Sequence, residues 1–152
     1  MSKKAKKRLI IAIVLLILVL LSARGFTMRT VHYSVKSPKL QKGMRIVFIS
    51  DLHNCFYGGT DQSGLIDEVH DAKPDIVIFG GDVVDAWGGT KHALTLMKAL
   101  SAEYPCFYSP GNHEEMRKDT EEFYDSVREI CPLLLGEYSE IEINGEKVRI
   151  YG

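Results

Sequence analysis

Cysteine is scarce in this chain and badly placed for cross-linking. Cys55, Cys106 and Cys131 are odd in number and widely spaced, which argues against a disulfide framework. No Cys-x-x-Cys pair and no Cys/His pattern of zinc-finger spacing occurs. Internal repeats are absent, and there is no low-complexity tract beyond a basic N-terminus. Positive charge is also lacking outside that terminus. Lys3, Lys4, Lys6, Lys7 and Arg8 stand ahead of the first apolar run; removing those five from the 19 basic residues leaves 14 against 20 acidic ones, a net of −6. Such a balance excludes a natural nucleic-acid binder, because phosphate-backbone affinity needs a basic face. Histidine, finally, stops at His113. What remains is 152 residues of ordinary globular composition, 45% hydrophobic and 26% charged, enough for one domain.

Leu9 to Leu21 form an unbroken apolar run of 13 residues behind the basic stretch, the layout of a signal peptide or signal anchor. At ~1.5 Å per residue the run reaches about 20 Å, short of a ~30 Å hydrocarbon core. Phe26 and snorkelling of Arg8 and Arg24 would lengthen it. Cleavage after Ala23 would put Leu21 at the −3 position, a poor signal-peptidase site. The expectation is therefore an uncleaved N-terminal transmembrane helix within residues 1–26, with a cleaved signal or a buried helix as alternatives. The basic flank would stay in the cytoplasm. Residues 27–152 would then be a domain on the extracytoplasmic face of the cell membrane, held by a single pass.

Val31, Tyr33 and Val35 alternate as in a half-buried strand within residues 27–37. Dense apolar runs at Met44–Ser50 and Asp75–Gly80 suit strands buried on both faces. Leu65, Ile66 and Val69 lie between them at helical spacing, which makes a strand–helix–strand crossover. A second helix is expected over Lys91–Ala102 and a short strand over Cys106–Ser109. Asp119 and Glu122 read as a capping box for a helix carrying Phe123, Val127 and Ile130. Pro132–Leu135 suggests a further strand, and Ile141–Ile150 a hairpin turning at Asn144-Gly145.

Three motifs follow these strands: Asp51-Leu52-His53, Gly81-Asp82 with Asp85, and Gly111-Asn112-His113-Glu114. Sites in open α/β sheets form at the carboxyl ends of strands. Each motif alone is weak. Asp-x-His is often a turn with a helix cap, and Gly-Asp is a common turn. Gly-Asn suits a turn that tolerates positive φ. All three in this order, each after an apolar strand, are far more specific. His32 reads as a surface residue, and His70 and His92 as solvated helix faces. Cys55 reads first as a half-buried thiol and second as a metal contact. Trp87 reads first as loop packing and second as a wall of a substrate groove.

In these motifs the chain resembles the calcineurin-like metallophosphoesterase superfamily, and most nearly its bacterial membrane-anchored branch. The resemblance covers about residues 30–152. It implies an α/β fold, the N-terminal half of a β-sandwich flanked by helices and preceded here by the transmembrane helix. It also implies a hydrolase of phosphomonoesters or phosphodiesters using two divalent ions, with Mn, Fe or Zn suited to a mixed donor set. Asp51 and His53 would bind the first ion, Asp82 would bridge both, and Asn112 would bind the second. His113 would be catalytic, steadying the phosphate or protonating the leaving group without binding metal. Asp85 and Glu114 would stand behind the ligands and orient them.

Phosphate esters repel anionic nucleophiles. Two cations ~3.5–4 Å apart neutralise the phosphoryl oxygens and acidify a water between them. The family pattern continues with an isolated His and a Gly-His-x-His, neither of which occurs here. Val148–Gly152 reads like a core strand cut short, so a fragment is expected, with a naturally short pseudoenzyme or interaction protein as the alternative. The substrate would be a phosphate ester, lipid-linked if the domain sits near headgroups.

Overall fold

A computed structural model of the chain describes residues 2–24 and 28–152. Residues up to Val35 form one unit and Lys36–Gly152 a second. In the first unit, α1 spans Lys3–Arg24. No helix among the described residues is long and apolar enough to cross a membrane. The expected transmembrane helix, and with it a single-pass position in the cell membrane, is therefore corrected. The reason lies in length and charge. Lys3 to Arg8 occupy the first turns of α1, and the apolar residues after them fall about 10 Å short of a ~30 Å core. The alternation at 31–35 does not produce a strand either. Val31, Tyr33 and Val35 are exposed, and none of them is in a strand.

The second unit runs β1 (Ile46–Ile49), α2 (Ser63–Ala72), β2 (Ile76–Gly80), α3 (Lys91–Ser101), β3 (Cys106–Ser109), α4 (Asn112–Glu115), α5 (Thr120–Arg128), β4 (Tyr138–Ile143) and β5 (Glu146–Tyr151). The first three strands form a parallel sheet in the order β1-β2-β3. Helices must connect such strands, and the helical spacings of Leu65 and Val69, and of Ala93, Met97 and Leu100, supply their apolar faces. β2 is the centre: Ile76, Val77 and Phe79 are fully buried, and burial of each such side chain contributes roughly 1.5–3 kcal/mol. Pro132–Leu135 adds only a single parallel bridge, Leu133 to Tyr108.

β4 and β5 form the expected hairpin. Asn144 (φ 54°) and Gly145 (φ 81°) make its two-residue turn, the positive pair that matches strand twist. The Asn144 side chain also donates to Gly43 O at 3.1 Å. Ile143 and Ile150 pack with Leu134 against Ile76 and Phe107 on one face of the sheet. β1 departs from the expectation of two buried faces. By register Phe48 shares the face of Ile78, yet it is 61% exposed, since the hairpin core forms over β2 and β3. Its ring instead covers Gly80, where any Cβ would collide with it.

Candidate metal centre

The site begins where the sheet stops. Past β1, the chain at Asp51–Asn54 runs beside Gly81–Val83. Asp51 N donates to Gly81 O (3.1 Å), His53 N to Asp82 O (2.9 Å) and Asn54 N to Val83 O (3.2 Å). These bonds extend the contact between β1 and β2 beyond their ends and bring the first two motifs side by side. The backbone there is unusual. Asp51, His53, Asn54 and Asp82 all have positive φ, between 46° and 61°, a region costly for residues with a Cβ and often retained at functional sites.

Positive φ was expected instead at Gly111-Asn112. Gly111 has φ −103° and ψ −173°, which any residue adopts. Its lack of a side chain serves a different end: a Cβ would sit 2.8 Å from Asp82 N. Gly81 (φ 86°) makes the reciprocal approach, its own Cβ position lying 2.8 Å from Gly111 N. The second and third motifs thus meet backbone to backbone.

His53, Asp82 and His113 converge, all half-buried, with one potential ligand atom from each within 4.8 Å of the others. The two imidazoles lie edge to face at 4.6 Å between centroids. Asp82 Oδ1 accepts the backbone N–H of His113 at 3.0 Å. The exposed Asp51 carboxylate lies outside this group of three, and exposed Asn112 opens α4 one residue before His113. His113, expected to remain off the metal, is thus placed among the candidate donors. Cys55 is half-buried and outside the group.

His113 Nδ1 is 2.8 Å from Asp85 Oδ1. This hydrogen bond raises the histidine above its ordinary pKa, with the charges of Asp82, Asp85 and Glu114 adding to it against desolvation. The same bond, with the N–H of Ala86, holds Asp85 below the usual carboxylate range. Glu114 is fully buried. Burial pushes its carboxyl up, but the Tyr108 hydroxyl and the backbone N–H groups of Val84, Gly111 and Asp82 outweigh burial, and the net shift is downward.

Three supporting residues escaped the sequence reading. Tyr108 donates to Glu114 Oε1 at 2.8 Å. Arg117, its side chain 3% exposed, donates to Asp85 O and Gly88 O and pairs with Asp119. The Asp119 carboxylate is thereby engaged, and α5 begins with no side-chain cap at Asp119, in place of the expected capping box. Buried Gln62 joins Tyr57 N, Cys55 O and His92 O. No motif in the sequence marks these residues: Arg117 reaches the carbonyls of Asp85 and Gly88 on a distant loop, and Tyr108 and Gln62 meet their partners only once the chain around the site has folded. His70 is 3.1 Å from Glu103. His92 is half-buried beside Phe56, with Nδ1 3.0 Å from Thr60 O. Trp87 is 74% exposed, so it is not loop packing.

Parallel strands that end in clustered histidine and aspartate define a metallohydrolase-like α/β domain. The chain belongs to the calcineurin-like phosphoesterase family, whose pattern matches residues 44–148. It is 30% identical over 104 residues to an uncharacterized metallophosphoesterase of Campylobacter jejuni, covering 66% of this chain and 25% of that protein. It is 35% identical over 81 residues to one of Helicobacter pylori (50% and 21%). It is 30% identical over 94 residues to one of Bacillus subtilis (56% and 32%). The matched segment thus spans about a third or less of each relative.

Proposed function

We propose that this domain is a metal-dependent phosphoesterase whose centre is built from Asp51, His53, Asp82, Asn112 and His113. The observation that carries this reading is the convergence of His53, Asp82 and His113 within 4.8 Å, beyond the carboxyl ends of parallel strands. Imidazole and carboxylate donors suit divalent Mn, Fe or Zn. Two bound ions would supply Lewis acidity toward the phosphoryl oxygens and an acidified water. Asp51 and His53 would hold one ion, Asp82 would lie between the two, and Asn112 would offer its amide oxygen to the second. With Nδ1 of His113 held by Asp85, Nε2 is the nitrogen left for the chemistry. It would donate to a phosphoryl or leaving oxygen, or itself bind metal. Asp85 and Glu114 would orient these groups without touching substrate. The substrate is a phosphate ester.

The test is hydrolysis of an aryl phosphodiester and an aryl phosphomonoester with Mn²⁺, by wild type and by Asp82→Asn. A metal-dependent rate that falls at least about a hundredfold in the variant is expected, since a lost ligand removes both charge and geometry. An undiminished rate in Asp82→Asn would refute the reading. Metal binding with no turnover on either ester would favour a non-catalytic interaction protein.

A further inference from the structure

Pairing between β2 and β3 ends at Gly80 and Ser109. The next residue on the β3 side is Pro110, and the chain then turns into α4. The backbone N–H groups of Asp82, Val83 and Val84 therefore have no strand to accept them. Buried unpaired N–H groups are costly, and all three end on one side chain. Glu114 Oε2 accepts from Asp82 N at 2.9 Å, and Oε1 accepts from Val83 N at 2.8 Å and Val84 N at 3.1 Å. Oε2 also takes Gly111 N at 2.9 Å. Successive N–H groups directed at one anion form a concavity of the kind that elsewhere binds phosphate or other anions. Here the anion is the protein's own carboxylate. The carbonyls of the same turn are taken from the other side, by the N–H groups of Asp51, His53 and Asn54.

We propose that Glu114 is the positioning residue of this centre: its buried carboxylate holds the Asp82 turn against Gly111, and so fixes Asp82 beside His53 and His113. The inference rests on the metal-centre reading above and assigns Glu114 a specific task within it. Glutamate is required in two respects. Its length reaches both turns, and its ionised form offers only acceptors to five donors. Glutamine would direct an N–H₂ at N–H groups, so the Asp82 turn would have to move.

The test uses the full chain and Co²⁺ alone, followed by its visible absorption. Wild type, Glu114→Gln and Leu100→Ala are compared at a temperature where all are folded; Leu100 is a fully buried residue of α3 and controls for general loss of stability. Glu114→Gln is expected to bind Co²⁺ about tenfold to hundredfold more weakly, the usual effect of losing a group that orients ligands, and to alter the absorption band. Leu100→Ala should leave both within about twofold, because it touches no ligand. Unchanged Co²⁺ binding in Glu114→Gln overturns the inference and leaves the metal centre standing. Equal weakening in Leu100→Ala overturns it as well. Wild type that binds no Co²⁺ removes the metal centre and this inference together. Should Glu114→Gln not fold, amide hydrogen exchange of wild type decides. Asp82, Val83, Val84 and Gly111 should exchange as slowly as Val77 and Phe79 of β2; exchange about a hundredfold faster shows that the carboxylate does not hold them.

Discussion

His113 and Asp85 face each other across 2.8 Å, Nδ1 to Oδ1, on two turns separated by 28 residues of chain. The pair fixes the imidazole's orientation and leaves Nε2 directed to other work. The hydrogen bond is the largest cause of the upward shift at His113. In the metal-free protein the histidine should titrate above its ordinary value, and in Asp85→Asn it should fall back. Stability from this pair is full below the unfolded histidine value and is lost as pH rises through the folded one. Histidine proton resonances followed against pH check both statements; an unmoved His113 in Asp85→Asn would contradict them.

Tyr108→Phe removes one hydrogen bond to an ionised, buried Glu114. A loss of about 1.5–3 kcal/mol is expected, the range for hydrogen bonds to charged groups. The acid limb should move too. Glu114 is depressed in the folded state, so its stabilisation is present above the unfolded value of about 4.3 and is lost as pH falls through the folded one. Without Tyr108 the folded value rises, and acid unfolding of the metal-free variant should begin at higher pH. Urea melts across the acid range measure this.

Gly111→Ala should misplace Asp82 and leave the sheet intact. Its new methyl would lie within van der Waals contact of Asp82 N and Asp82 Oδ1. The neighbours there are backbone and a candidate ligand, neither free to withdraw. A folded variant with metal affinity reduced about tenfold or more is expected, read by far-ultraviolet dichroism and Co²⁺ titration. Wild-type affinity would show that the two turns can separate without consequence.

Trp87 is the only tryptophan and is exposed, yet its loop is pinned. Asn54 Nδ2 donates to Trp87 O at 3.1 Å, and Arg117 takes Asp85 O and Gly88 O. Native fluorescence should be that of a solvent-exposed indole, readily quenched by iodide. Arg117→Ala strands those carbonyls and frees Asp119. It should cost about 2–4 kcal/mol and lower the anisotropy of Trp87.

Thiol labelling should separate the cysteines. Cys106 and Cys131 are buried, and desolvation pushes both thiols up to about 12; Cys55 is partly exposed. Thiolates, not thiols, react. One equivalent of iodoacetamide should therefore enter the native protein, at Cys55, and three after unfolding. Peptide mapping of the labelled chain checks the site.

Much of this fold was legible in the order of residues. Unbroken apolar runs marked β1 and β2, because strands in a parallel sheet can bury apolar side chains without alternation, although β1 keeps Ile46 and Phe48 exposed. Asn144-Gly145 marked the hairpin, because only certain residues take positive φ in succession. The three motifs at strand ends marked the candidate site, whose His53, Asp82 and His113 the fold brings together. The alternation at Val31, Tyr33 and Val35 misled, since a pattern of side chains does not supply the neighbouring strand that a β-strand needs. The basic, apolar N-terminus misled in the same manner: it resembles a membrane signal, while the span it builds is too short.

Chain order alone determined which candidate residues follow the strands and at which edge of the sheet they emerge, since side-chain type and strand periodicity are local properties. Tertiary structure decided how they are held. The Glu114 carboxylate serves amides about 30 positions away, Arg117 serves the Trp87 loop, and His113 stands among the donors with His53 and Asp82. These contacts depend on the register of three strands and on positive φ at Asp51, His53 and Asp82, a conformation their side chains resist and only the surrounding hydrogen bonds impose.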